Sequence, residues 1–266
     1  MFLRSPRENS AESKRGLRIK VEMNREVQLI SSNQTRLDKV SAVLRSLSLS
    51  FRVHRFLPAQ DRVRGCLEAH ATVFRWAVEQ KHDYVWICED NISTSPFAAR
   101  HGIPHDYFDR LEAFLRDPKF RVNVVYVAAY FTPSFRSPRP CEGHVGIFET
   151  SGCHGASGYI VRRKFCRSLL RTCLDNGRAI DWQMEQCAGR YVITPLLFRR
   201  DLSIRSIVNP GKDTLRTLYF GEKVYDLCEA RYLSGVYTVP HLTFAVSTVV
   251  LCVAVILYVA LARSRQ

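Results

Sequence analysis

Acidic residues are in short supply in this sequence. Against 39 Lys and Arg stand only 25 Asp and Glu, a net charge of +14, so partners that carry negative charge are favoured: phosphates, nucleic acid or an anionic membrane surface. Of the basic residues 31 are Arg, the better bidentate phosphate donor, although a coding bias toward Arg reads the same. No Cys-x-x-Cys pair occurs, and the nine cysteines are odd in number and irregular in spacing. That argues against a disulfide framework or a zinc ribbon and for free thiols in a reducing compartment. The first residues, MFLRSPRENSAESKRG, lack the apolar run of a secretory signal. Zinc-finger spacing, an RNP aromatic motif and a helix-turn-helix pattern are all missing, so no specific nucleic-acid partner is expected. Neither an internal repeat nor a low-complexity tract is present. The charged and aromatic shares, 24% and 11%, are those of a globular chain and exclude a wholly disordered, collagenous or coiled-coil one.

What the sequence does have is a long uncharged run near its end. Leu242 to Ala262, LTFAVSTVVLCVAVILYVALA, carries no charge over 21 residues. At ~1.5 Å per residue a helix of that length covers a hydrocarbon core of roughly 30 Å. A single-pass transmembrane helix is expected over 241–262, with a short tail at 263–266 and Tyr237, His241 and Tyr258 near its ends, where interfacial side chains belong. With no amino-terminal signal, the expectation is a C-terminal membrane anchor with the soluble domain on the cytosolic side.

Residues 1–25 are polar and basic and read as a flexible arm. From there to about residue 215 the periodicity reads as one α/β domain, with an amphipathic connector over 216–240. Val27–Ile30 reads as a first strand and Thr35–Ser48 as a helix, with Thr35 able to cap it and Asp38 in its first turn. Phe51–Leu57 alternates as a strand, Val63–Gln80 carries an apolar helical stripe, and Asp83–Cys88 is apolar enough for a strand covered on both faces. A helix over 104–116, a buried strand over 121–130, a strand over 158–161, a helix over 163–176 and a strand over 191–194 follow. The βαβαβ opening predicts a mostly parallel sheet flanked by helices.

In such a sheet ligands bind at the carboxyl ends of the strands. There the sequence places Glu89-Asp90-Asn91, an oxygen-rich tip of the kind that hard divalent cations, Mn or Mg, prefer. Acidic residues also end strands for structural reasons, and the tripeptide alone does not decide. Cys141, His144, Cys153 and His154 have the ligand chemistry of a zinc site, but their spacing fits no familiar finger, and loop residues are the simpler reading. The basic stretch Arg162, Arg163, Lys164, Arg167 and Arg171 fits a diphosphate, a lipid surface or a solvated face.

Taken in order, several segments resemble glycosyltransferase family 25, which includes bacterial lipooligosaccharide and animal collagen galactosyltransferases. The likeness runs from about residue 27 to 208. VQLISSNQTRLDKV resembles the first strand and the Asn- and Arg-containing turn before the first helix, at Asn33 and Arg36. RFLPAQ resembles a strand ending in Pro-Ala. GCLEAHATVFRWAVEQ resembles the Gly-Cys-x-x-Ser-His helix through Gly65, Cys66 and His70, with Ala69 where Ser is usual. YVWICEDN resembles the strand ending in Glu-Asp-Asp through Glu89 and Asp90, with Asn91 in place of the third acid. ASGYIVRRKFCRSLL, AIDWQM and YVITPLLFRRDLSIRSIV resemble later elements.

The resemblance implies a GT-A-like, Rossmann-type domain that transfers a hexose, galactose or glucose, from a UDP-sugar to an acceptor hydroxyl with inversion and with a divalent cation. It implies Glu89, Asp90 and Asn91 as metal ligands, and Asn33, Arg36, Gly65, His70 and Glu89 around the nucleotide. Asp181 and Asp90 are the implied catalytic acids. His70 reads equally as a hydrogen-bonded core histidine. The acceptor is a glycan, protein or lipid. A second expectation stays open beside the enzyme: a catalytically degenerate relative that acts as a membrane-tethered binding module.

Overall fold

A computed structural model describes residues 23–56, 59–131, 139–150, 153–172, 177–201 and 203–204. The connector, the apolar span, the tail and residues 1–22 of the expected arm lie outside the described residues. Among the described residues no helix is long and apolar enough to cross a membrane.

The elements in chain order are β1 (Met23–Ser31), α1 (Gln34–Ser46), β2 (Phe51–Arg55), α2 (Arg62–Glu79), β3 (Tyr84–Glu89), β4 (Ile92–Thr94), α3 (Pro96–His101) and α4 (Tyr107–Arg116). They continue with β5 (Val124–Phe131), β6 (Arg139–Pro140), β7 (Ile147–Glu149), β8 (Cys153–Arg162), α5 (Arg163–Thr172), α6 (Ile180–Glu185), β9 (Arg190–Ile193) and β10 (Phe198–Arg200). Met23 is buried at the start of β1, so the first strand opens inside the stretch expected to be an arm.

The strands form one sheet in the order β2-β1-β3-β8-β5-β9-β7-β6, with β10 joined to β5 and β4. Alternation along β3 explains why helices cover both sides. Tyr84, Trp86 and Cys88 enter the core shared with Leu37, Val40 and Leu44 of α1 and Leu111 and Phe114 of α4. Val85 and Ile87 enter the opposite core with Leu67, Val73, Phe74 and Ala77 of α2, Cys166 and Leu169 of α5, and Ile180 and Met184 of α6. Because successive side chains of a strand point to opposite faces, a fully apolar strand needs a helical layer on each.

The sheet is mixed, which corrects the mostly parallel expectation. β1 runs parallel to β2 and β3, and β5 parallel to β9. Between these two parallel groups lies β8, antiparallel to both β3 and β5. Burial on both faces gives β8 the same apolar composition a parallel strand would have, so composition could not report its direction. It is also much longer than the 158–161 segment expected. Gly158 fits it against its neighbour: a Cβ there would stand 2.9 Å from Ala128 Cβ and 3.5 Å from Cys88 Sγ.

Two local expectations also change. Asn33, not Thr35, caps α1, its Oδ1 accepting from the Arg36 amide at 3.1 Å. Asp38 then falls beyond the first turn and accepts from Gln34 Nε2 instead. α3, α6, β4, β7 and β10 were not legible, being too short to show a period.

Candidate functional site

The three parallel strands β1, β2 and β3 end along one edge of the sheet, at Ser31, Arg55 and Glu89. β8 approaches the same edge from the other direction, pairing Gly158 with Cys88. After Glu89 the chain turns through Asp90 and Asn91 into β4, which pairs antiparallel with β10. That pairing brings the Asp201 amide to the Asn91 carbonyl at 2.7 Å. Asp201 is itself ion-paired with Lys39 of α1 and accepts from the Ser203 amide at 2.9 Å. The acidic tip is thus fastened to both β10 and α1.

Asp90 turns toward β1. Its Oδ2 accepts from Ser31 Oγ at 2.8 Å and, at 3.4 Å, from the Ser32 amide, while Arg36 Nη1 lies 3.6 Å from Oδ1. Burial pushes its pKa above the ordinary aspartate value, and Ser31 and Arg36 pull against this without cancelling it. The Asn33 side chain is occupied by the α1 cap, whose function is to aim the first turn, and Arg36 within it, at Asp90.

Glu89 turns the other way. Its Oε1 is 3.1 Å from His70 Nε2, and His70 Nδ1 is 2.7 Å from the Tyr159 hydroxyl. An ionised carboxylate only accepts, so Nε2 donates to Glu89; Nδ1 accepts from the Tyr159 O–H when the imidazole is neutral and donates to it when the ring is charged. Oε2 accepts from Asn91 Nδ2 at 2.8 Å. Burial works to raise the Glu89 pKa, but the His70 bond and charge, the Asn91 bond and the charge of Arg200 outweigh it and hold the group below its ordinary value. Donation to Glu89 fixes the orientation of the Asn91 amide and leaves its Oδ1 buried with no hydrogen-bond partner among the described residues.

The two carboxylates adjacent in sequence therefore look to different elements, Asp90 to β1 and α1, Glu89 to α2 and β8. What gathers closely is Cys66, His70 and Glu89, whose ligand atoms all lie within 4.8 Å of one another. Cys66 precedes His70 by one helical turn and places its Sγ 4.0 Å from Glu89 Oε1. Gly65, expected beside a nucleotide, serves the approach of the loop before α2: a Cβ there would meet Ala59 Cβ at 2.9 Å.

Asp181 stands in the first turn of α6, half-buried, its Oδ1 accepting from the Trp182 amide at 2.8 Å. Its charge is felt at the Cys66 thiol, which burial first, then Glu89, Asp181 and Asp90, push well above the ordinary value. The structure thus brings Asp181 to the α2 side of the same edge. Ser31, Tyr159, Arg200, Asp201 and Lys39 complete the site and were missed. Ser31, at the end of an expected strand, and Tyr159, Arg200 and Asp201, inside segments that resemble family elements, carried a local signal but no assigned role.

The other candidates fall elsewhere. Arg162 and Arg163 sit at the opening end of β3, with Arg163 paired to Asp83 and Arg162 over the Tyr84 ring, away from the acidic tip. His144 Nε2 pairs with Asp117 at 3.0 Å and Cys141 is buried, while the Cys153 and His154 side chains lie outside the description.

No protein-family model matches the chain, and no curated protein matches it either. Solved structures resemble it distantly. A197 from STIV is similar over 66% of this chain and 84% of its own, at 16% identity and a TM-score of 0.41. A glycosyltransferase involved in glycosylation of the major capsid of PBCV-1 is similar over 66% and 94%, at 9% identity and 0.40. A Drosophila beta-1,4-galactosyltransferase 7 mutant, in complex with manganese, UDP-Gal and xylobiose, is similar over 73% and 75%, at 12% identity and 0.34. Likenesses this distant carry no argument about the activity of this chain.

Proposed function

We propose that the chain is a nucleotide-sugar-dependent glycosyltransferase, moving a hexose, galactose or glucose, from a UDP-sugar to an acceptor hydroxyl with inversion, and held at a membrane by 241–262. The observation that carries this reading is the buried acidic tip at the carboxyl end of β3, fastened to the Ser31–Arg36 turn after β1. A strand-end carboxylate that keeps a raised pKa despite two hydrogen bonds and a nearby guanidinium is a costly arrangement, of the kind sites adopt for function. Cys66, His70, Glu89 and Asp90, from the segments that resemble family 25, lie along this same edge.

The donors at the tip are oxygens, the chemistry a hard divalent cation takes. Asp90, Glu89 through Oε2, and Asn91 Oδ1 would hold it once Asp90 and Glu89, which face different elements, turn toward each other and Arg36 loosens from Asp90. When bound, such an ion offsets the charge of a leaving diphosphate. Arg36, which lies against Asp90, would offer its guanidinium to two phosphate oxygens of the donor. His70, backed by Tyr159, holds Glu89 ionised. Asp181 takes the proton of the acceptor hydroxyl as general base. The Asn91 amide in place of a third acid favours a second reading, a degenerate relative that binds without turning over.

Nucleotide release from a panel of UDP-sugars by the full-length chain in detergent, with Mn and candidate acceptors, tests both readings. Release that Asp181→Asn reduces at least ~100-fold, the scale of losing a general base, is the expected result. Donor binding without release selects the degenerate relative, and absence of both binding and release across the panel sinks the proposal.

A further inference from the structure

The cluster on the α2 side of Glu89 has a chemistry that an oxygen-only cation site does not use. Cys66 and His70 are four apart on one helix, so both side chains leave the same face. The third member arrives from a strand end, and the three supply a sulfur, a nitrogen and an oxygen. We propose that Cys66, His70 and Glu89 bind a transition-metal ion of the zinc class, through Sγ, Nε2 and Oε1.

The distances suit it. Bond lengths to zinc of ~2.0–2.3 Å put ligand atoms of a tetrahedral site roughly 3.3–3.6 Å apart. Here Nε2–Oε1 is 3.1 Å and Sγ–Oε1 is 4.0 Å, so small side-chain adjustments close the set. Two of the three ligands also have an outer partner. The Tyr159 hydroxyl stands on His70 Nδ1 and can accept a hydrogen bond there, and Asn91 Nδ2 holds Oε2 so that Oε1 faces the cluster. Three protein ligands leave a fourth position open, as in sites that bind a water or a substrate.

Proton balance follows from the ligands. The Cys66 thiol gives up its proton to solvent on binding. The His70 proton moves from Nε2 to Nδ1, where Tyr159 changes from donor to acceptor. One proton per ion is released, so affinity rises with pH while the thiol remains protonated in the metal-free chain.

The test uses the full chain in detergent, stripped with a chelator and titrated with Co and Zn salts. One ion per chain is expected, with a thiolate-to-cobalt charge-transfer absorption that zinc abolishes. Cys66→Ser should remove the absorption and weaken zinc by at least ~100-fold, no less than the loss of an outer-shell partner costs. Glu89→Gln should weaken zinc while keeping the absorption, and Cys187→Ser should change neither. Circular dichroism checks that each variant folds, and Tyr159→Phe, the mildest change, should weaken zinc roughly tenfold if Cys66→Ser does not fold. Absence of zinc binding, affinity unchanged in both Cys66→Ser and Glu89→Gln, or cobalt bound without thiolate absorption would each overturn the assignment. This inference does not rest on the transferase reading: an inactive chain that holds zinc keeps it, and an active chain that holds no zinc loses it.

Discussion

Asp90 is placed where ionisation is costly. A group whose folded pKa lies above its unfolded value contributes stability at low pH that is lost as pH rises through the folded value. At neutral pH the ionised side chain therefore works against the fold, and Asp90→Asn should keep or raise the melting temperature there while removing turnover. The gap between variant and native melting temperatures should widen as pH climbs through and above the ordinary aspartate range, then level off. A variant that melts well below the native chain at neutral pH would show that Asp90 serves packing. Asn91 gives the complementary case. Asn91→Asp sets a second carboxyl where an amide now donates to Glu89 Oε2 at 2.8 Å, and two close carboxyls resist joint ionisation. Melting by fluorimetry should fall without a cation and rise with Mn more steeply than in the native chain. A melting temperature indifferent to Mn would remove Asn91 from the cation site.

At the scale of elements, the site depends on strands and caps brought close. Gly158 lets β8 lie against β5, and Gly158→Ala pushes a methyl onto Ala128 Cβ inside a sheet with no free space. We expect a loss of about 1–3 kcal/mol in urea denaturation, the usual scale of overpacking, and a loss of site function, since Tyr159 follows directly. Ser95 serves two elements at once: its Oγ caps α3 at the Ala98 amide, 3.0 Å, and donates to the Leu196 carbonyl at 2.6 Å. Ser95→Ala should cost about 1–2 kcal/mol by the same measurement, most of it from a buried carbonyl left unpaired. An unchanged midpoint would mean that water replaces the hydroxyl. The long elements were legible in the sequence because their apolar residues repeat at a helical or strand period over several turns. α3, α6 and β10 offer no full period, and the contacts that tie Ser95 to the Leu196 carbonyl and Asp201 to Lys39 and Asn91 are long-range.

For the whole molecule, the described domain and the apolar run after it make separate demands. Deleting 242–262 should move the chain from the membrane fraction to the soluble one, checked by centrifugation after carbonate washing. A full-length chain that stays in the supernatant would dispose of the anchor. Several basic residues of the described domain are met by acids at its surface: Arg25 and Arg116 by Glu112, Arg52 by Glu26, and Arg139 by Glu149. These are exposed pairs of small worth.

Composition and periodicity by themselves determined that helices would cover both faces of a sheet, that Glu89, Asp90 and Asn91 would sit at a strand end, and that the apolar run at 242–262 would have the length of a bilayer span. Those are local properties, written in the order of side chains along a few turns. Only tertiary structure decided that β8 runs antiparallel, that Asp90 and Glu89 part toward different neighbours, and that Cys66 and His70, the latter backed by Tyr159, meet at Glu89 Oε1. Strand direction leaves no mark on a segment buried on both faces. A contact such as Tyr159 with His70, between residues 89 positions apart, exists only once two strands and a helix have packed.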